Sequence, residues 1–230
     1  MNVNCLSYWW PLIAPLVPTP RTEIVQSEDL SPILDGEIPV GWGEFLASMN
    51  VARGKIGGDC FLRTGQGAGK HNWSKTCFLP ETANIARHVA ELVEWSALVD
   101  IIGLPANVWC VREMLPTTPI GVCPDYEGMP VCREFRFFAE GGAVKCWHPY
   151  WPLDAINEGG LAGDFQFGWY EEFCRLDDPE PKRLAEIVSR AVPGAWSVDI
   201  LETKCGWFVT DMAEASRSFH WPECPSQGTA

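Results

Sequence analysis

A mixed α+β fold is what this sequence predicts, on three observations. Short strands come in antiparallel hairpins around Gly-rich turns, one stretch before residue 103 carries apolar residues at helical intervals, and a second such stretch precedes the last hairpin. With 230 residues, 47% hydrophobic and 20% charged, the chain can bury roughly 70% of its unfolded surface. That suits one large domain or two closely packed lobes.

Along the chain, residues 1–20 are rich in Pro and Trp and are expected to form an irregular arm, because Pro11, Pro15 and Pro18 interrupt the apolar run. Residues 40–49, with Trp42, Phe45, Leu46 and Met49, predict a short helix. Strands are expected at 60–63 and 75–79, flanking a loop at 64–73 with three Gly in six residues, so this hairpin should have a mobile tip. Ile85, Val89, Leu92, Val99 and Ile102 predict a helix over 81–102, stopped by Gly103 and Pro105. A strand at 108–115 leads into a long loop at 116–130. Strands at 131–139 and 144–147 flank Glu140-Gly141-Gly142, a hairpin turn. Helices follow at 165–174 and after Asp178-Pro179, read as an N-cap and a first-turn proline, where Leu184, Ile187 and Val188 form a stripe ended by Pro193-Gly194. Strands at 196–201 and 207–211 close the fold, and a frayed tail starts at Pro225.

A net charge of −13 and a pI near 4.7 repel phosphate polymers and anionic lipid surfaces, which argues against nucleic-acid and membrane partners. A polyanion ligand would have to be held locally, through a divalent cation. No Lys or Arg precedes Arg21, and no apolar run approaches the roughly 20 residues of a membrane span, so a cytoplasmic protein is expected. The ten Cys include no C-x-x-C pair, so they read as buried, inert thiols rather than a metal cluster. His71, His148 and His220 read as packing residues before ligands or bases.

Chemistry concentrates in the later strands. A turn near Lys204 sets 197 opposite 211 and 199 opposite 209, which makes Asp199 and Asp211 diagonal neighbours on one face. Such a pair can share Mg²⁺, which takes oxygen ligands at about 2.1 Å, with Glu214 as a third ligand; the plain alternative is a pair of solvated carboxylates. Alternation assigns Val198, Ile200, Phe208 and Met212 to the other face. In the middle hairpin Cys132, Glu134, Arg136 and Phe138 share one face, opposite Arg133, Phe135 and Phe137. Glu134 and Arg136 can pair with each other, or they can hold a ribose hydroxyl and a phosphate, with Lys145 adding charge. Arg112 and Glu113 form a further candidate charge pair. Arg63 and Lys70 bracket the Gly-rich loop, whose free backbone N–H groups could cradle phosphates. It lacks the Walker A spacing and the Ser or Thr after the Lys.

In their order, Phe61-Leu62-Arg63-Thr64-Gly65, Lys70-His71-Asn72-Trp73, Val111-Arg112-Glu113-Met114-Leu115-Pro116, Arg133-Glu134-Phe135-Arg136-Phe137-Phe138, His148-Pro149-Tyr150-Trp151 and Trp196-Ser197-Val198-Asp199 resemble the ATP-grasp superfamily, and within it a clade common in bacteriophage genomes. The resemblance implies two α+β lobes clamping ATP: an arm at 1–20, an N-terminal lobe at 21–106, a C-terminal lobe at 107–224 and a tail at 225–230. It implies that Arg112, Glu113 and the backbone around Met114 form the hinge that holds adenine, and that Glu134 holds ribose. Arg63, Lys70, Arg136 and Lys145 would face the phosphates, Lys70 and Arg136 as catalytic groups. Asp199, Asp211 and Glu214 would hold Mg²⁺. Ala213 stands where the superfamily usually has a metal-binding Asn.

The implied activity is ATP- and Mg²⁺-dependent ligation of a small-molecule or peptide carboxylate to an amine through an acylphosphate, the carboxylate arriving near Arg217 or His148. The alternative is an ATP-binding assembly or interaction factor that performs no ligation, which Ala213 and the chain's small size favour.

Overall fold

The computed structural model describes residues 2–99, 103–158, 161, 168–221 and 224. Two four-stranded antiparallel sheets dominate it. The first holds β1 (Thr22–Gln26), β2 (Cys60–Thr64), β3 (Phe78–Leu79) and β4 (Val108–Glu113) in the order β1-β4-β2-β3. The expected lobe boundary between 106 and 107 therefore lies just before a central strand of this sheet.

One face of the first sheet is covered by α2 (Trp42–Ile56) and α3 (Ile85–Leu98). Asn84 caps α3 by accepting a hydrogen bond from the Ala86 N–H at 3.0 Å. Glu44 in the first turn of α2, and Arg53 and Lys55 in its last, complement the helix dipole. Phe45, Met49, Val89 and Leu92 meet Leu62, Trp109 and Val111 in one apolar layer. Strand alternation turns Phe61, Arg63, Cys110 and Arg112 to the opposite face.

The second sheet has the order β10-β9-β7-β8, from β7 (Glu134–Glu140), β8 (Ala143–Pro149), β9 (Ala195–Thr203) and β10 (Gly206–Glu214). Gly141 and Gly142, with φ of 59° and 87°, make the two-residue turn expected between β7 and β8, since only Gly adopts two such values at low cost. Helix α6 (Glu180–Ala191) lays Leu184, Ala185 and Val188 on Phe135, Phe137, Val198 and Ile200. A third cluster joins the lobes, where Trp73 and Cys77 meet Met129, Val131, Trp151 and Ile156 of the segment containing β5 (Gly121–Cys123), β6 (Met129–Val131) and α4 (Leu153–Glu158), with Phe173 of α5 (Trp169–Cys174).

Several expectations are corrected. Residues 6–13, expected to be irregular, form helix α1 (Leu6–Ile13), because Leu6, Trp9 and Ile13 make a fully buried stripe that outweighs the amide hydrogen lost at Pro11. The expected loop at 116–130 contains the small hairpin β5–β6. The expected strand at 75–79 shrinks to two residues, since the Thr76 hydroxyl bonds the carbonyls of Gly69 and Asn72 and holds a turn there. Asp178 does not occupy the N-cap of α6, which falls on Pro179, yet its Oδ1 still accepts the Glu180 N–H at 2.8 Å. The expected helix end at 100–102, the helix start at 165–167 and the tail from 225 lie outside the described residues.

The Gly-rich loop is not a mobile tip. Thr64, Gly65, Ala68 and Gly69 are buried, the Gly65 N–H bonds the Val108 carbonyl, and those of Gln66 and Gly67 bond the Thr64 hydroxyl. These amides are spent internally and cannot cradle a phosphate. A Cβ on Gly67 would lie 2.4 and 2.6 Å from ring carbons of Trp95. Gly67→Ala should therefore cost about 1–3 kcal/mol, with a second change, Trp95→Leu, relieving part of it. Urea unfolding of the two single variants and the double variant measures this, and an unchanged midpoint for Gly67→Ala would show the loop free to adjust.

Candidate functional site

The faces of the two sheets that α2, α3 and α6 leave uncovered look toward each other, and the charged residues of the chain's interior collect between them. From β2, Arg63 is 4% exposed and its Nη1 lies 2.8 Å from Asp211 Oδ1 on β10. Within the second sheet Arg136 forms a two-pronged pair with Asp199, Nε to Oδ1 at 2.7 Å and Nη2 to Oδ2 at 2.8 Å, because the register sets them directly opposite across β7 and β9. From β4, Arg112 donates to the Thr22 hydroxyl at 3.1 Å and to the Thr210 carbonyl at 2.7 Å. Its Nη2 is buried without a hydrogen-bond partner.

The last hairpin has a register that spacing alone does not give. A β-bulge at Thr210 pairs Asp199 directly with Asp211, and 197 with 213, instead of the expected diagonal. It also reverses the alternation before it, so Trp207 and Val209 join Met212 in the buried layer while Phe208 falls with Leu201 on the cleft side. The bulged Thr210 hydroxyl donates to Glu134 Oε1 at 3.1 Å and its carbonyl accepts from Arg112. No sequence signal marks that bulge.

Lys70, in a single 3-10 turn after the Gly-rich loop, sets its Nζ 3.5 Å from the Tyr150 hydroxyl and 4.7 Å from that ring's centre; the Arg136 guanidinium lies over the same ring at 4.9 Å. Tyr150 is thus a further site residue, one that no local signal in the sequence marks. Burial works against the Lys70 charge, yet Tyr150, Glu134, Asp199 and Asp211 outweigh it and hold the pKa above that of a free lysine. Burial chiefly holds the Glu134 carboxyl above its ordinary range, against the pull of Lys70. Burial, then the like charge of Arg63, pull Arg112 down to about 10.

Four cations (Arg63, Lys70, Arg112, Arg136) thus face three carboxylates (Glu134, Asp199, Asp211) in a chain whose net charge is −13. The cavity beside them holds about 110 Å³, below the roughly 300–1,000 Å³ of small-molecule sites. Arg63, Lys70, Arg112, Glu113, Met114, Glu134 and Asp211 line it, and its apolar walls come from Phe61, Trp73, Met129, Trp151 and Leu201. No local pattern in the sequence assigns those walls to the site.

Other candidates sit elsewhere. Lys145 occupies the register shift between β7 and β8 and is exposed, outside the cleft. Glu214 follows Met212 on the alternation, away from the two Asp, and its Oε2 accepts from Asn4 Nδ2 at 2.8 Å. Glu113 does not pair with Arg112: adjacent strand residues point apart, and Glu113 takes Arg21 at 2.8 Å. Glu134 and Arg136 share a face as expected but bond Thr210 and Asp199 rather than each other. Arg217 is exposed, and His148 is 1% exposed and stacked on Trp221, so His148 is closed to an arriving substrate.

No family model matches the sequence, and no curated protein matches it. Among solved structures the chain is similar to Cdc123 from Schizosaccharomyces pombe, at 15% identity and a TM-score of 0.59, over 99% of this chain and 93% of that one. A C-terminally truncated form of the same protein matches at 14% and 0.57, over 92% and 83%. A RimK domain ATP-grasp protein from Sphaerobacter thermophilus matches at 14% and 0.46, and the chain spans 60% of its length. The chain shares the fold of Cdc123, with two four-stranded antiparallel sheets and flanking helices.

Two outcomes test the cleft's electrostatics. Arg136→Met leaves the 4%-exposed Asp199 without its countercharge and should cost about 3 kcal/mol, while Arg136→Met combined with Asp199→Leu should recover much of that in urea unfolding. Burial alone would raise the Asp211 pKa, but Arg63 outweighs it and holds the carboxyl below its ordinary value. The pair's stabilisation is therefore full above about pH 4 and lost as pH falls through the lower folded value. Asp211→Asn should flatten the acid limb of stability below about pH 4, as measured by thermal melts across that range.

Proposed function

We propose that the cleft binds Mg-ATP and that the protein uses it to join a carboxylate to an amine. The observation that carries the nucleotide is the pair of neighbouring buried guanidiniums, Arg63 and Arg112, with the Arg112 Nη2 unpartnered. Two like charges in one dry site repel, and an anion offsets that repulsion.

In this reading the apolar walls and the strand end at Glu113 and Met114 take the base, and Glu134 takes a ribose hydroxyl. Arg63, Lys70 and Arg112 meet the phosphates. Asp199 and Asp211, directly opposite each other, are the carboxylates that would hold Mg²⁺, once Arg136 and Arg63 shift from them toward the phosphates. When bound, Mg-ATP supplies a phosphoryl group that turns a carboxylate into an acylphosphate open to an amine. The chain's part is to place the reactants, exclude water and spread the developing charge over Lys70 and Arg136. Because the cavity is small, the two lobes must part for a nucleotide to enter, with residues 70–73 closing over it. A phage origin belongs to this reading through the sequence resemblance alone.

A second reading, a nucleotide-binding module without ligation, is favoured by one observation: with Ala213 in place of Asn and Glu214 held by Asn4, Asp199 and Asp211 are the members of the expected ligand set that would be left to hold a metal.

Thermal unfolding tests the nucleotide. Mg-ATP at about a hundred times its dissociation constant adds about 2.7 kcal/mol, which for this size is about 5–11 °C. Lys70→Met should lose most of that rise; no rise at millimolar ATP in the parent overturns both readings. ADP release that requires both a carboxylate and an amine supports the ligase, and a rise without such release supports the module.

A further inference from the structure

Outside the cleft, three side chains with metal-ligand chemistry converge. Cys146 Sγ on β8 lies 3.1 Å from His220 Nε2, and these atoms and Cys224 Sγ all lie within 4.8 Å of one another. Both Cys are buried and His220 is half-buried. Tetrahedral zinc, with bonds of about 2.3 Å to sulfur and 2.0–2.1 Å to nitrogen, needs its ligand atoms about 3.5–3.8 Å apart. The three atoms reach those separations through small side-chain shifts.

The surroundings fit a closed metal centre. Phe138 meets the His220 ring at 4.3 Å, and Phe138, Ala215 and Trp221 pack around the two thiols. His148 stands on the same face of β8, two residues from Cys146, with its ring 5.6 Å from that of His220. Its Nδ1 bonds the Pro149 carbonyl at 2.7 Å, and since a carbonyl only accepts, Nδ1 carries the proton and Nε2 offers a lone pair. That Nε2 is buried without a hydrogen-bond partner, in a residue 1% exposed.

We propose that Cys146, His220 and Cys224 form a zinc site, with the fourth tetrahedral position left for water or for the neighbouring His148 Nε2. Two thiolates and an imidazole favour Zn²⁺ over the oxygen-seeking Mg²⁺. Binding converts two thiols into metal-bound thiolates and releases their two protons, with no redox change. The spacing hides the site from motif reading: His220 and Cys224 are four apart, but Cys146 is 74 residues from His220. The metal would clip residues 215–221 and 224 to β8. That segment also bears on the cleft, because the Phe219 carbonyl accepts from Arg136 Nη1 at 3.3 Å.

The test uses the whole chain, stripped of metal and kept reduced with a phosphine, titrated with Zn²⁺ alone in competition with a chromophoric chelator. One equivalent should bind. Cys224→Ser and His220→Ala should weaken binding by about 100-fold or more, and Cys205→Ser, at the exposed thiol, should leave it unchanged. Because the ligands at 220 and 224 lie in the terminal segment, circular dichroism of these variants should match the parent. Co²⁺ should give a thiolate charge-transfer absorption that Cys146→Ser removes. Absence of saturable Zn²⁺ uptake by the reduced parent, equal uptake by Cys224→Ser, or isolation of the chain with Cys146 and Cys224 joined as a disulfide that takes up no zinc after reduction overturns the proposal.

Discussion

Burying charge between two sheets is the constraint on which the rest of this structure depends. Arg63, Arg112 and Arg136 are taken out of water, and each must find acceptors or the fold carries an uncompensated ion. Asp211 and Asp199 answer two of them, while Arg112 relies on a threonine hydroxyl and one backbone carbonyl. The Arg63–Asp211 pair and the bond from Arg112 to the Thr210 carbonyl both cross from the first sheet to the second. The groups that a ligand would recruit thus help to hold the lobes together, beside the apolar cluster of Trp73, Cys77, Met129 and Trp151. An anion entering here exchanges partners within a set of charges already desolvated, which lowers the cost of binding it.

The bulge at Thr210 makes this arrangement available. Without it, continuous alternation would turn Asp211 to the side of Trp207 and Val209, into the apolar layer under α6. One extra residue restores Asp211 to the cleft, sets it opposite Asp199, frees a carbonyl for Arg112 and presents a hydroxyl to Glu134. Four features of the site follow from one irregularity in one strand.

This explains which parts were legible in the sequence. The α+β class, the hairpin turned by Gly141 and Gly142, and the shared face of Glu134 and Arg136 follow from periods and turn residues, which are local properties. The convergence of Arg63, Lys70, Arg112 and Asp211 was approached only through resemblance, since nothing local links positions 63 and 211. What failed, failed where packing overrode a local rule. Prolines argued against a helix at 6–13, but three buried side chains decided it. Glycines at 65, 67 and 69 argued for mobility, but they are small because Cys5, Val108 and Trp95 crowd them. Counting from the turn at Lys204 cannot reveal a bulge six residues later.

The same logic separates the two clusters of polar side chains. In the cleft Asp211 pairs with Arg63 and Asp199 with Arg136, so a ligand must compete for those cations, while Arg112 is held by a threonine hydroxyl and a backbone carbonyl. At the edge strand β8 of the second sheet, two thiols and an imidazole, Cys146, Cys224 and His220, converge within 4.8 Å, and the buried His148 Nε2 beside them has no hydrogen bond. These are softer donors, suited to a softer cation. Because that edge also supplies the Phe219 carbonyl to Arg136, a metal held by the thiols would fix the backbone that orients the guanidinium facing Asp199. Ordering of the terminal segment and the electrostatics of the cleft are in this way linked through one hydrogen bond.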